Sequence, residues 1–339
     1  MNVKLAVEAE NATEGQISTA AMSLQRLVAN VGRAVVGKSN AIELLLVALI
    51  CEGHVLLEDV PGVGKTLLAK ALARSLGLSF RRVQFTPDLL PSDITGSRIF
   101  NQRTAEFEFR PGPIFAQIIL ADEVNRATPR TQSALLEAME ERQVTADGET
   151  MALKRPFLVL ATQNPIELEG TFPLPEAQLD RFLLQVNLGY PTVEEEETIL
   201  LRLQDGDRTQ DLEPVLGSED IVGLATVASR VHISDAVRTY LISVVRATRQ
   251  RAGIALGGSP RATIALFRAT RALACVRGRD YALPDDIKYL APFILAHRLI
   301  LTSEARVKGQ TPRTLVSELL NTIPVPVEET GKPTAGTGG

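Results

Sequence analysis

Residues 53–76 read GHVLLEDVPGVGKTLLAKALARSL. The apolar run Val55-Leu56-Leu57 predicts a buried strand, and Pro61-Gly62-Val63-Gly64 breaks it with residues that can turn sharply. Lys65-Thr66 then open a helical pattern with Leu67, Leu68, Ala71, Leu72 and Leu76 as its apolar positions. Strand, glycine loop, Lys-Thr and helix are the context of a phosphate-binding loop. Small residues let backbone N–H groups turn inward, and a helix N-terminus adds partial positive charge, so the stretch from Pro61 to Leu67 suits a polyphosphate. In such a site Lys65 reaches the β- and γ-phosphates and the Thr66 hydroxyl ligates Mg²⁺. The usual loop opens with glycine, and here that position is Asp59. Because the first glycine helps the turn without touching phosphate through a side chain, Asp59 reads as a tolerated variant.

At 339 residues the chain suggests two domains on the rule of about 150 residues each. Lys plus Arg number 36 against 40 Asp plus Glu, a net charge of −4, which lends nucleic-acid binding no general support. Cys51 and Cys275 lie far apart without metal spacing and read as reduced thiols packed as small hydrophobes; His54, His232 and His297 form no ligand cluster. The N-terminus has no signal-peptide pattern, and the longest apolar stretch, 44–51, is far short of the ~20 residues of a membrane helix. A soluble, cytoplasmic protein is expected.

The pattern outward from the glycine loop alternates strands and helices. Residues 1–16 are polar and read as a flexible N-terminus; helical patterns follow at 17–34 and 39–52, and 80–85 reads as a strand. Residues 86–113 hold four prolines and read as a surface insertion, with Phe107-Glu108-Phe109 alternating like a hairpin strand. Ile118-Ile119-Leu120-Ala121 is a buried strand ending in Asp122-Glu123, and a helix at 130–142 carries Ala134, Leu135, Ala138 and Met139 on one side. Asp147-Gly148 marks a hairpin, Phe157 to Ala161 another buried strand ending at Thr162-Gln163-Asn164, and Leu183 to Val186 the last strand. The expected fold is α/β: a parallel sheet covered on both faces, with ligands at the carboxyl ends of the strands. Gly64, Asp122 and Asn164 all follow strand ends and converge on one edge. Thr192 and Glu195 form a capping box, 203–217 is a polar linker, and helical patterns at about 219–230, 235–252, 261–277 and 284–299 predict an all-helical second domain.

Four further positions carry chemistry. A carboxylate at a strand end beside the glycine loop can hold Mg²⁺, so Asp122 is a metal ligand, and the adjacent Glu123 can act as general base toward water. Asn164 is either an ordinary turn asparagine before Pro165 or a group that orients water against the γ-phosphate. Arg181 is either salt-bridged locally, to Asp180 or Glu176, or a finger projecting into a neighbour's site. Ser259 would cap a helix with Pro260 first, so Arg261 projects from a first turn, where a cation opposes the helix dipole unless an anion meets it; a solvated surface arginine is the plainer reading.

Together these residues resemble an AAA+ ATPase, and more narrowly the MoxR family, over about residues 20–325. The resemblance rests on Glu58 to Thr66, on Phe109-Arg110-Pro111-Gly112-Pro113-Ile114-Phe115, and on Ala121 to Ala127 with Gln132 to Glu141. Leu174 to Phe182 and Ser259-Pro260-Arg261-Ala262 complete it. It implies an αβα core at 17–190 with inserts at about 94–112 and 143–153, a connecting helix and linker at 191–217, a small all-helical lid domain at 218–325 and a disordered tail at 326–339. It implies that Lys65 and Thr66 are Walker A residues, that Asp122 and Glu123 are Walker B, that Asn164 is sensor 1 and Arg261 sensor 2, and that Arg181 is the trans arginine finger, with Arg126 and Arg130 as second candidates. ATP and Mg²⁺ are the implied cofactors. The implied partners are copies of the chain in a ring, usually a hexamer, a protein carrying a von Willebrand factor A domain, and a protein client remodelled by the motor. Two other classes stand beside this: a nucleotide-dependent scaffold or switch, which would not need Glu123, and a DNA-remodelling AAA+ protein using Arg98, Arg103 and Arg110.

Overall fold

The computed structural model describes residues 11–146, 148–164, 170–203 and 209–326. Two helices precede the glycine loop, α1 (Glu14–Ala34) and α2 (Ser39–Ile50). Residues 1–10 lie outside the described residues, but 14–16 are already helical rather than loose. Thr13 is the reason: its hydroxyl accepts from the Gln16 N–H at 3.3 Å while its own N–H donates to Gln16 Oε1 at 3.1 Å, a reciprocal capping box.

Strand β1 (Val55–Glu58) leads through the glycine loop into α3 (Lys65–Ser75), and β2 (Phe80–Gln84) follows. The proline-rich stretch folds as a short helix α4 (Pro91–Thr95) and an antiparallel hairpin, β3 (Gly96–Asn101) with β4 (Glu106–Pro111). It is not all surface, since Ile94 within it is buried, as are Phe85 and Ile114 on either side of it. Then come β5 (Ile118–Asp122), α5 (Pro129–Glu141), the hairpin β6 (Gln143–Ala146) and β7 (Glu149–Ala152), β8 (Leu158–Gln163), α6 (Glu176–Leu179) and β9 (Leu184–Val186). Asp147, half of the expected turn, lies outside the described residues.

Five strands form one parallel sheet in the order β2-β5-β8-β1-β9. The runs of β1, β5 and β8 are apolar up to their last one or two residues because alternate residues feed two separate cores, whereas the edge strand β2 exposes Arg81, Arg82 and Gln84. Val55, Leu57, Ile118, Leu120, Leu158 and Leu160 join the layer built by α1, α2 and α3; Leu56, Ile119, Ala121, Val159 and Ala161 join the layer on the other face with α5. On α5 the buried side is Leu135, Leu136, Ala138 and Met139 together with Thr131 and Gln132, whereas Ala134 is only half-buried. Gln132 belongs there because its amide Nε2 reaches the carbonyls of Val124, Ala127 and Phe172 at 3.2, 3.1 and 2.8 Å.

Helix α7 (Val193–Leu203) starts at the expected box, Thr192 N–H to Glu195 Oε2 at 2.9 Å and Glu195 N–H to Thr192 Oγ1 at 3.3 Å. Residues 204–208 of the expected linker lie outside the described residues, and Leu212 in its second half is buried. The C-terminal region is helical: α8 (Ser218–Ser229), α9 (Asp235–Thr248), α10 (Pro260–Val276), α11 (Pro284–Leu295), α12 (Ser303–Val307) and α13 (Pro312–Thr322). It also holds an antiparallel pair, β10 (Ile254–Leu256) with β11 (Ile300–Leu301), too short to register as a strand pattern. The apolar residues of α8 to α11 continue the core of α1 to α3, so these helices pack directly onto one face of the P-loop unit. Among the described residues no helix is long and apolar enough to cross a membrane.

Both cysteines are free, and burial pushes the Cys51 thiol up to about 12 and the Cys275 thiol to about 11, so both stay protonated. His54, just before β1, ties three elements together: Nδ1 accepts from the Val159 N–H at 3.0 Å and Nε2 donates to the Met139 carbonyl at 3.1 Å. This requires the neutral ring. Burial lowers its pKa from 6.5 to about 4, with the Met139 carbonyl opposing the shift and the Arg142 charge adding to it. The unfolded ring takes a proton near 6.5 and the folded one only near 4, so stability is full above that window and falls as pH drops through it. Melting temperature should therefore decline between about pH 7 and about pH 5, and His54→Gln, which cannot take up the proton, should show a shallower decline in differential scanning fluorimetry.

Candidate active site

Between β1 and α3 the chain turns through Gly62 at φ 86° and Gly64 at φ 95°, left-handed conformations that favour glycine. A Cβ built on either would meet no atom within 4 Å, so the constraint is backbone conformation and the space in front of the loop is open. The N-terminus of α3 faces that space. Lys65 Nζ donates to the Asp59 carbonyl at 2.7 Å; burial lowers its pKa, against the charges of Asp59, Asp122 and Glu123.

Asp59 is more than a tolerated variant. It is buried, and its carboxylate accepts from the Leu188 N–H and, at 3.2 Å, from the Gly189 N–H. The aspartate thus braces the start of the glycine loop against the turn that follows β9, a contact with residues nearly 130 positions away. No local pattern announces it.

The parallel register sets the acidic pair. Gln84 lies opposite Asp122, and Ala121 opposite Ala161, which places Thr162 beside Asp122. The buried Thr162 hydroxyl donates to Asp122 Oδ1 at 2.6 Å and accepts from the Glu123 N–H at 2.8 Å, so one hydroxyl positions both acids. Glu123 itself sits at φ 55°, a strained conformation for a residue with a Cβ, of the kind that collects at functional sites. Its Oε2 accepts from Gln84 Nε2 at 2.7 Å and from Arg126 Nη1 at 3.0 Å. Arg82 occupies the outer oxygen of Asp122, Nη2 to Oδ2 at 2.5 Å and Nε at 3.0 Å. Sequence reading passed over Thr162, Gln84 and Arg82; their only signal was a polar residue at a strand end.

These groups line one cleft of about 410 Å³: Pro61, Gly62, Gly64, Lys65, Thr66 and Leu67 from the loop and helix, Asp122 and Glu123 from β5, and Asn164 after β8. Thr66 and Asp122 offer the hard oxygen donors that Mg²⁺ takes alongside phosphate and water, so the residues present fit that ion. Val63 faces the other way, into an adjoining apolar pocket of about 500 Å³ with Val35, Val36, Ile199 and Leu203. Leu67, the last residue of the expected phosphate-binding stretch, lines both spaces and is partly exposed.

Arg181 and Arg261 lie elsewhere. Among the described residues lining the cleft the cations are Lys65 and Arg82. Arg181 is ion-paired to Glu140 (Nε to Oε2, 2.9 Å), 41 residues away, rather than to the neighbouring Asp180 or Glu176; Arg298 takes the Asp180 carboxylate at 2.6 Å. Arg261 also pairs with Glu140, Nη2 to Oε1 at 2.9 Å, so it is neither a free surface arginine nor a group facing its own chain's glycine loop. Ser259 and Pro260 hold the cap and first position of α10, with Ser259 Oγ accepting from the Ala262 N–H at 3.4 Å. Of the second candidates, Arg126 is engaged with Glu123 and Arg130 is exposed.

Comparison with known proteins agrees with this geometry. Residues 54–184 match the family model described as the ATPase family associated with various cellular activities, and residues 246–319 match an AAA lid domain. The chain is 44% identical over 313 residues to Chaperone MoxR1 of Mycobacterium tuberculosis, covering 90% of this chain and 82% of the relative. It is 35% identical to Protein MoxR of Paracoccus denitrificans, covering 86% and 93%. A crystal structure of a Cytophaga hutchinsonii protein assigned as an ATPase superposes with a TM-score of 0.87 at 41% identity, covering 93% of this chain and 98% of that one.

The brace at Asp59 gives a direct stability test. Asp59→Ala strands two buried N–H groups and should cost about 1–3 kcal/mol in urea denaturation. Asp59→Gly, which restores the usual loop residue, should cost at least as much, whereas Asp59→Asn keeps one acceptor and should cost less.

Proposed function

Starting from a chain that belongs to the MoxR family of AAA+ ATPases, we propose that it hydrolyses ATP with Mg²⁺ in a ring of copies and uses the turnover to remodel a protein client. One observation carries this reading: the phosphate cleft contains its base and its metal donors, while the two candidate arginines sit together outside it.

In this reading the N–H groups of the glycine loop and Lys65 hold the β- and γ-phosphates. Thr66 and Asp122 would hold Mg²⁺, which supplies charge neutralisation on the phosphate oxygens. Arg82 then gives up the outer oxygen of Asp122, which its half-exposed side chain is free to do. Glu123, aimed by Thr162 and Gln84, takes the proton of the attacking water, and Asn164 orients that water. The apolar pocket at Val35, Val36 and Val63 accepts the base of the nucleotide. Arg181 and Arg261 serve the site of the neighbouring copy, where their charge stabilises the transferring phosphoryl group.

The client is taken to be protein. The β3–β4 hairpin exposes Ile99, Phe100 and Phe107, an apolar surface suited to polypeptide, while Arg98 on the same hairpin is neutralised by Glu149. A chaperone role follows the name of the mycobacterial relative, and a partner with a von Willebrand factor A domain follows the family resemblance.

ATP turnover should rise more than linearly with protein concentration as the ring assembles. Arg181→Ala and Arg261→Ala should each bind ATP yet lose turnover, with ~10³-fold the scale of a lost arginine finger. Glu123→Gln should retain ATP while turning over ~10²-fold slower. A specific activity independent of concentration and unaltered by Arg181→Ala would mean that one copy suffices, and the shared site would be abandoned.

A further inference from the structure

Arg181 and Arg261 come from different parts of the chain, one from the loop after α6 and one from the first turn of α10, yet both end on Glu140. Each carboxylate oxygen takes one guanidinium at 2.9 Å. Glu140 can do this because it sits near the end of α5, whose buried face fixes the backbone on which it stands. The backbones that carry the two arginines are fixed as well. The Asp180 carboxylate accepts from Arg298 Nε at 2.6 Å and from the Ser259 hydroxyl at 3.4 Å, and Arg298 Nη2 also reaches the Phe182 carbonyl at 2.6 Å. The neighbours on either side of Arg181 are thereby tied to the helix cap that precedes Arg261.

The exposures decide what Glu140 is for. The side chains of Arg181, Arg261 and Glu140 are 28%, 62% and 35% exposed, so these are surface-type ion pairs that contribute little to folding. They matter more for order. A free arginine side chain holds rotamer entropy that an anion arriving from outside would otherwise have to offset for each arginine. The cleft around them, about 240 Å³, is cationic on balance. Arg298 is matched by Asp180 and Arg142 by Glu52, but Glu140 alone answers both Arg181 and Arg261, and Arg268 lines the same cleft with no ion pair among the described residues.

We infer that Glu140 is a positioning residue: it holds Arg181 and Arg261 side by side as one preset unit that receives the triphosphate of a neighbouring copy. The inference rests on the shared-site reading above and adds to it a residue that touches neither nucleotide nor water. When the γ-phosphate arrives, it competes with the Glu140 carboxylate for guanidinium groups that are already paired in space.

Complementation in mixed rings tests this. Lys65→Ala has a dead cleft but intact arginines, and Arg181→Ala has an intact cleft but no finger. Each alone should be inactive, and mixing them should restore turnover at the interfaces where the arginines of the first serve the cleft of the second. The double variant Lys65→Ala/Glu140→Ala, mixed with Arg181→Ala, should recover on the order of tenfold less, the scale of a misplaced group rather than a missing one. Glu140→Ala by itself should assemble as fully as the unaltered chain, keep its KM for ATP and lose kcat counted per assembled copy, so that any fraction lost to unfolding does not enter. Glu140→Gln, which retains one acceptor oxygen and the side-chain length, should fall between, and it serves as the test variant if the alanine does not assemble. Equal recovery with and without Glu140 would overturn the inference and leave the shared site standing. Failure of Lys65→Ala to complement Arg181→Ala in intact rings would overturn both.

Discussion

Parallel strands that end at one edge bring their last residues into register, and the cleft exists because of that register. Gln84 stands opposite Asp122 and Ala121 opposite Ala161, so the residues one step on, Glu123 and Thr162, meet across the strand ends. A slip of one residue would turn Thr162 and Asp122 to opposite faces and dissolve the contact. The slip is forbidden by the cores: alternate residues of β1, β5 and β8 are committed to two apolar layers, and every one of them would change sides. Packing energy spread over the whole sheet thus holds one hydroxyl against one carboxylate.

The same sheet separates the arginines from the cleft. Arg181 follows α6 and Arg261 begins α10, and both are gathered at the far end of α5 from the Glu123 turn, where that helix is anchored by Gln132. Helix α5, thirteen residues or about 20 Å long, is therefore rooted beside Glu123 and ends beside Arg181 and Arg261. The C-terminal helices contribute directly to that division, since Arg298 grips the Asp180–Leu183 backbone and Ser259 caps the helix that carries Arg261.

Much of the site was legible in the sequence because its parts are local. The glycine loop needs positive φ at Gly62 and Gly64, and glycine at those two positions states it outright. The Thr192 and Glu195 box, the Ser259 cap and Pro260 each lie within a turn of what they stabilise, and they appear as the spacing predicts. Where local pattern was overlooked, as with Thr13 and Gln16, the helix simply begins earlier. Other readings went wrong where the partner is distant. Asp59 reads as a tolerated variant because its partners, Leu188 and Gly189, are remote in sequence, and the local partners open to Arg181 do not include Glu140, which is 41 residues away.

The sequence by itself determined the strand-loop-helix unit at 55–75, the acidic strand end at Asp122 and Glu123, the parallel α/β class and the helical C-terminal region, all of them consequences of periodicity and backbone preference over a few residues. Tertiary structure alone decided which polar groups meet. Thr162 aims two acids, Asp59 braces a loop from across the sheet, and Glu140 gathers two arginines that lie 80 residues apart. The physical reason is the range of the interactions. A turn or a cap is settled by dihedral angles and neighbours within four residues, whereas a hydrogen bond or ion pair between remote side chains is settled only after the sheet and its two cores have fixed where each backbone stands.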